Sequence, residues 1–185
     1  MMKNKVLLHL FFILILVSNC SKDTKISKLE SDSGLNDSFE WKSISLNTLK
    51  KSTFLNPIDN KLTNIHELLK LENLSVEHRI YVHFWATWCV PCLDELPALV
   101  QYVDDVSKLK GEKNELFLIA VDDRPEKVNE FIRKKGINLR DSVLLYDNNE
   151  ESYLKYGVSK VPETFVFNPK GQVIQKFVGP QKWLP

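Results

Sequence analysis

The stretch Ile80–Pro97, IYVHFWATWCVPCLDELP, constrains the fold more than any other part of this 185-residue chain. Ile80, Tyr81, Val82, Phe84 and Trp85 make an apolar run rich in β-branched and aromatic residues, which reads as a buried strand. The chain then turns through Ala86-Thr87-Trp88 into Cys89-Val90-Pro91-Cys92 and continues with the spacing of a helix. With Cys89 at the helix N-cap, Pro91 falls in the first turn, where its missing N–H costs nothing and its fixed φ suits a helix. The Cys89 sulfur then faces free N–H groups and the positive end of the helix dipole, and both stabilise a thiolate. A cysteine in such a place can drop from ~8.5 into a range of roughly 3.5–7.5. Cys92 follows one helical turn later, close enough to close a disulfide with Cys89. The pair forms a two-electron dithiol/disulfide device.

FWATWCVPC resembles the active site of the thioredoxin superfamily. The longer WCVPCLDELP is similar to its cell-envelope branch, the TlpA/ResA/DsbE-like thiol–disulfide oxidoreductases. A lone CxxC is weak evidence, but a CxPC preceded by Trp, placed after a buried strand and opening a helix, is specific. The resemblance implies an α/β, thioredoxin-like fold: a mixed central sheet with helices on both faces, an N-terminal extension and a central βα insertion. The remaining pattern agrees with it. After Cys92, Leu93, Leu96, Leu99, Val100, Val103, Val106 and Leu109 recur near a 3.6-residue period, and Gly111 stops the helix. Leu116–Val121 reads as a second buried strand, followed by a helix from Pro125 to Gly136 and a short strand Val143–Tyr146. Thr164–Phe167 and Val173–Val178, joined by Asn168-Pro169-Lys170-Gly171, read as a hairpin. Earlier, Trp41–Leu49 reads as an edge strand or hairpin and Phe54–Pro57 as a turn, with a helical pattern at Ile65–Leu69. Relatives usually carry a terminal helix where this chain ends at Trp183-Leu184-Pro185.

The charge balance excludes one class of partner. Lys plus Arg number 25 and Asp plus Glu 24, a net charge of +1, which leaves no electrostatic footprint for nucleic acid. Two of the three cysteines are the CxxC pair, so the core must come from burial rather than from disulfide staples. The third, Cys20, closes the N-terminal segment. There Lys3 and Lys5 precede an apolar run, Val6–Val17, which as a helix would reach ~18 Å, short of the ~30 Å hydrocarbon core. Residues 1–19 therefore read as a signal peptide. Leu16-Val17-Ser18-Asn19-Cys20 resembles a lipoprotein cleavage box with Cys20 as the lipidated residue, although Asn19 departs from the small residue usual before the cysteine. Ordinary secretion is the alternative. Residues 20–38, rich in Ser, Lys, Asp and Asn, read as a flexible tether, and residues 39–185 as the thioredoxin-like domain. The expected location is the cell envelope, at the membrane through the lipid anchor, where disulfide chemistry persists.

The resemblance also assigns site residues. Cys89 is the attacking thiol and Cys92 the resolving one. Pro162 matches the cis-proline that faces the CxxC, with Val161 offering its backbone to an extended substrate peptide. Val161-Pro162-Glu163-Thr164 resembles the form found in the subset serving cytochrome c maturation; a solvated strand end is the other reading of Glu163. Glu95 matches the glutamate that envelope reductases keep beside the resolving cysteine. As a residue, it could be a proton acceptor or simply a helix-start carboxylate. His83 interrupts the apolar strand, either as a proton relay titrating near neutrality or as a core histidine bonded to a carbonyl. Trp88 shields the dithiol and contacts partners, and Trp85 is core. His66 and His78 read as surface residues.

These assignments describe a protein-disulfide reductase that needs no cofactor and no metal. Its partners would be protein thiols and disulfides, apocytochrome c among them, and a transmembrane electron donor. A disulfide oxidase and a non-catalytic, membrane-tethered peptide-binding or holdase module remain alternatives. Peroxidase chemistry fits less well, because Ala86 and Val82 stand where peroxiredoxins place Thr or Ser and Pro. Copper delivery lacks a downstream histidine, since His9, His66, His78 and His83 all precede the cysteines.

Overall fold

The computed structural model describes residues 41–49, 51–56, 59–69, 74–111, 114–122, 124–147 and 154–184; the leader, the tether and Cys20 lie outside them. Within these residues the chain builds one sheet around the run that precedes the cysteines. Its strands are β1 Phe54–Leu55, β2 Leu62–Thr63, β3 Ile80–Trp85, β4 Glu115–Ala120, β5 Val143–Tyr146, β6 Glu163–Phe167 and β7 Val173–Val178. They lie in the order β2-β1-β5-β4-β3-β6-β7. β3, β4 and β5 are mutually parallel, and the flanking pairs are antiparallel. All six residues of β3 are buried, as expected of a strand at the centre of a sheet covered on both sides.

Alternation along β3 splits the core into two layers. Ile80, Val82 and Phe84 join a cluster with Phe117, Ile119, Phe165 and Phe167, which is covered by Leu46 of α1 (Leu46–Leu49) and Ile65 of α2 (Ile65–Leu68). Tyr81 and Trp85 join the opposite cluster, with Leu96 and Leu99 of α3 (Val90–Lys110) and Val128 of α4 (Pro125–Lys135). α3 and α4 share a face, as successive crossovers of one hand require when strand order keeps stepping the same way from β3 to β5. Both begin at a proline-containing first turn and stop at a left-handed glycine, Gly111 (φ 66°) and Gly136 (φ 61°). This is the thioredoxin-like α/β architecture, with helices on both faces of a mixed sheet.

Several local expectations need correction. Trp41–Leu49 is not an edge strand: Trp41–Ser43 is a 3-10 turn, and α1 follows. Ile44 and Leu46 are buried in the face of the sheet, and only Ser45 bridges to Gln172. Phe54–Leu55 is a strand rather than a turn. The reversal falls later, where Asn60 N–H donates to Asn56 O at 2.9 Å and Asn60 adopts φ 56°. His78 is buried, at 5% exposure. It lies in the lead-in to β3, which is tied down by Arg79 N–H to Asn114 Oδ1 at 2.8 Å. Leu109 is 78% exposed, because the buried stripe of α3 ends at Val103. The helix expected before Tyr156 falls largely outside the described residues; Tyr156 itself is fully buried.

No helix forms over residues 179–184. Trp183 nevertheless covers part of the α3 side, with its ring 5.1 Å from Phe177 and 5.6 Å from Tyr102. Among the described residues no helix is long and apolar enough to cross a membrane.

Candidate active site

Cys89 is the N-cap of α3, in extended backbone (φ −90°, ψ 98°), and its sulfur accepts the Cys92 N–H at 3.3 Å. The Cys92 N–H is thus directed at this sulfur at the positive end of a 21-residue helix. Cys89 and Cys92 are joined by a disulfide, S–S 2.09 Å. The two sulfurs are not equivalent: Cys89 keeps a sliver of surface, at 6% exposure, while Cys92 has none. Around Cys89 the surface is apolar, since Trp88 and Val90 are each 65% exposed. Trp85 is fully buried.

The Val161–Pro162 peptide bond is cis, and the Val161 carbonyl oxygen lies 3.7 Å from Cys89 Sγ. The fold brings them together because β6 pairs antiparallel with β3, so the start of β6 meets the end of β3. Glu163, next in line, is not a solvated strand end. It is buried at 1% exposure and paired with Lys176 Nζ at 3.1 Å. The turn before Cys89 is also pinned, by the buried Asp122 carboxylate, which accepts the Thr87 N–H at 3.0 and 3.1 Å and the Thr87 hydroxyl.

On the α3 side of the sheet lie two buried polar residues, His83 of β3 and Glu95 of α3, at 0% and 5% exposure. His83 is the cross-strand partner of Thr164, and its Nδ1 is 2.9 Å from Thr164 Oγ1. The bond is to a hydroxyl, not to the carbonyl that a core histidine would be expected to use. Burial pushes the imidazole down to about 3, so it is neutral near pH 7 and does not titrate there. Glu95, on the buried side of α3 with Cys92 and Leu96, is no exposed helix-start carboxylate. Its Oε2 accepts the Gln181 N–H at 2.6 Å and the Trp183 indole N–H at 3.3 Å. Burial raises the Glu95 carboxyl, and these two bonds oppose the rise. His83 Nε2 and Glu95 Oε1 face each other at 3.7 Å.

Sequence reasoning proposed Cys89, Cys92, Glu95, His83, Trp88, Val161 and Pro162 as site residues, and the fold places them around the end of β3 and the start of β6. It missed Thr164, Asp122, Gln181, Trp183 and Lys176. Only Trp183 carried a signal, as the one aromatic residue after Phe177.

A family model described as Redoxin matches residues 52–184. The chain belongs to the redoxin family. Among its relatives, the thiol–disulfide oxidoreductase ResA of Bacillus subtilis is 28% identical over 100 residues, covering 54% of this chain and 52% of that protein. The thiol:disulfide interchange protein HelX of Rhodobacter capsulatus is 32% identical over 99 residues, covering 54% and 51%. The chain thus spans about half the length of these relatives. In structure it is similar to a secreted disulfide oxidoreductase of Mycobacterium tuberculosis, with a TM-score of 0.56 at 17% identity over 75% of this chain and 90% of that one. The last likeness bears on the fold alone.

Proposed function

We propose that this redoxin is an exported thiol–disulfide oxidoreductase that reduces protein disulfides in the cell envelope. The observation that carries the reading is the asymmetry of one disulfide: Cys89 at a helix N-cap with a sliver of exposed surface, beside the Val161 carbonyl, and Cys92 fully buried. In the reduced protein the cap N–H groups stabilise a Cys89 thiolate. That thiolate attacks one sulfur of a substrate disulfide, forming a mixed disulfide and releasing the other substrate sulfur as a thiolate. Cys92 loses its proton and attacks Cys89 Sγ, the Cys89–substrate bond breaks, and the second substrate sulfur leaves. One dithiol has been oxidised and one disulfide reduced. Glu95 takes the Cys92 proton, backed by His83.

Trp88 and Val90 give an extended peptide an apolar collar, and the backbone of Val161 offers it hydrogen bonds beside Pro162. Apocytochrome c is the substrate that the Pro162-Glu163-Thr164 sequence favours. Residues 1–19 direct export, Cys20 carries a lipid, residues 20–38 hold the domain off the membrane, and a transmembrane donor returns electrons to the disulfide.

Two measurements test this reading. Equilibrating the protein in defined thiol buffers and trapping free thiols gives the potential of the couple. A value near or below about −250 mV supports a reductase, and one near about −120 mV reverses the direction to an oxidase. Cys92→Ala should accumulate a mixed disulfide with a protein substrate, and Cys89→Ala should not. If neither variant forms an adduct and the couple fails to titrate, the enzyme reading falls in favour of a binding module.

A further inference from the structure

His83 and Glu95 each have one polar atom fixed and one left over. Thr164 holds His83 Nδ1, while the tail holds Glu95 Oε2 through the Gln181 amide and the Trp183 indole. The atoms left over are Nε2 and Oε1, both buried and, among the described residues, without a hydrogen-bond partner. They are 3.7 Å apart. The same tail also reaches the substrate side, because Gly179 N–H donates to Pro162 O at 2.8 Å. Residues 179–183 therefore span from the cis-proline loop to the Glu95 carboxyl, which follows Cys92 by three residues on α3.

We propose that Trp183 is a positioning residue of the redox centre: with the Gln181 amide it holds Oε2 of Glu95, leaving Oε1 to take and return the Cys92 proton against His83 Nε2. The proposal deepens the functional reading above and rests on it. Its chemistry balances. The Cys92 S–H bond breaks, its proton passes to Oε1, and the sulfur keeps the electron pair with which it attacks Cys89 Sγ. The departing substrate thiolate then receives a proton.

The pair can do this without creating a buried cation. With Glu95 ionised, a proton on Nε2 points at Oε1, and Nδ1 accepts from the Thr164 hydroxyl. With Glu95 protonated, its acid O–H points at Nε2, and Nδ1–H donates to Thr164 Oγ1 instead. Each proton taken at Oε1 thus switches the imidazole tautomer while His83 stays neutral. Tail donors matter here because they favour the ionised form, against a burial that favours the acid. The titratable groups around Glu95 are His83 from β3 and the two cysteines of α3. Tyr81 of β3 shares that core layer, but its hydroxyl is engaged with Tyr102 and raised by burial. From the tail and β6 come Gln181, Trp183 and Thr164, none of which titrates. Among the described residues, the influences on Glu95 include no charged side chain.

The test follows Glu95 by carboxyl carbon-13 NMR and His83 by imidazole nitrogen-15 NMR, in the full chain with its disulfide closed. Trp183→Phe keeps an aromatic ring between Tyr102 and Phe177 but removes the N–H donor. The Glu95 midpoint should rise by about one to two pH units, the effect of losing one hydrogen bond to the ionised form. The pH profile of mixed-disulfide resolution should move the same way. An unmoved midpoint in folded Trp183→Phe would reduce Trp183 to packing and overturn the proposal. Should that variant not fold, the wild-type chain decides alone: the two ring nitrogens of His83 must exchange character at the Glu95 midpoint, and a fixed tautomer overturns the proposal. Because the NMR titrations involve no turnover, a chain that exchanges no disulfides would count against the functional reading and leave them readable.

Discussion

The two faces of β3 are built from different chemistry. Ile80, Val82 and Phe84 point into one core layer and carry no heteroatom; Tyr81, His83 and Trp85 point to the α3 side, and every one carries a polar atom. Both faces are equally buried, so solvent does not explain the difference. The α3 side is where the disulfide lies. A strand that must hold the sheet together and also manage protons beside a sulfur can separate the tasks by alternation, since adjacent residues point to opposite faces. One six-residue strand thus packs only hydrocarbon on its even positions and turns its polar atoms, His83 among them, to the side that holds the disulfide.

The largest effect should come from damaging the scaffold face alone. Phe84 is fully buried, with its ring 5.5 Å from Tyr156 and 6.1 Å from Phe165. Phe84→Ala should cost about 3–5 kcal/mol in urea unfolding, while the pH dependence of the Cys89–Cys92 couple stays as in wild type. A changed pH dependence would show that the faces are not separable. Phe84→Leu gives the same comparison at smaller cost if the alanine variant does not accumulate.

A middle-sized effect should come from the polar face, and it should depend on pH. Native His83 stays neutral down to about pH 3, whereas the unfolded chain protonates near ~6.5. Below that pH the unfolded state binds a proton that the native state refuses. The stability is therefore full above pH ~6.5 and is lost as pH falls toward the native value, with a slope approaching ~1.4 kcal/mol per pH unit. Between pH 6.5 and 4.5 the loss should reach about 2–3 kcal/mol. Glu95 works in the opposite sense: its carboxyl is raised, so its contribution is present at low pH and is lost as pH climbs above the ordinary ~4.3. His83→Asn should flatten the acid limb of a stability–pH curve, and Val82→Ala on the other face should lower that curve evenly. An acid limb that survives in His83→Asn would mean that the histidine is not the group being titrated.

How much of this was legible before the structure follows the same division. The central strands, both long helices and the cysteine N-cap were written in local patterns: β-branched runs, a 3.6-residue period, Pro at a helix start and Gly at its stop. The edges were not. Leu55 pairs with Tyr146 through a contact that no short window contains, and Ile44 and Leu46 leave the edge because the sheet face offers them burial. At the site, Glu95 and His83 could be picked out as odd residues in apolar settings, but their partners could not. Thr164 meets His83 only through the β3–β6 register, and Trp183 reaches Glu95 across 88 residues of sequence. Of the two readings of His83, burial disfavours the one that titrates near neutrality, because it holds the imidazole neutral far below it. Desolvation depends on depth, and the sequence marks depth only indirectly.

The smallest effect sharpens the comparison most. Tyr81 belongs to the polar face but lies near the start of the strand, four positions before the Trp85 end that leads to Cys89. Its ring lies edge-on to Tyr102 at 6.3 Å, and burial, aided by Tyr102, raises its hydroxyl beyond any working pH. If the α3 side acts on the dithiol only through His83 and Glu95, Tyr81→Phe should behave like a scaffold change. It should cost about 1 kcal/mol for one hydrogen bond and leave both the acid limb of stability and the pH profile of disulfide resolution in place. If either profile moves, the polar atoms of that face form one coupled network running the length of β3. The division would then lie between whole faces rather than between the two ends of one.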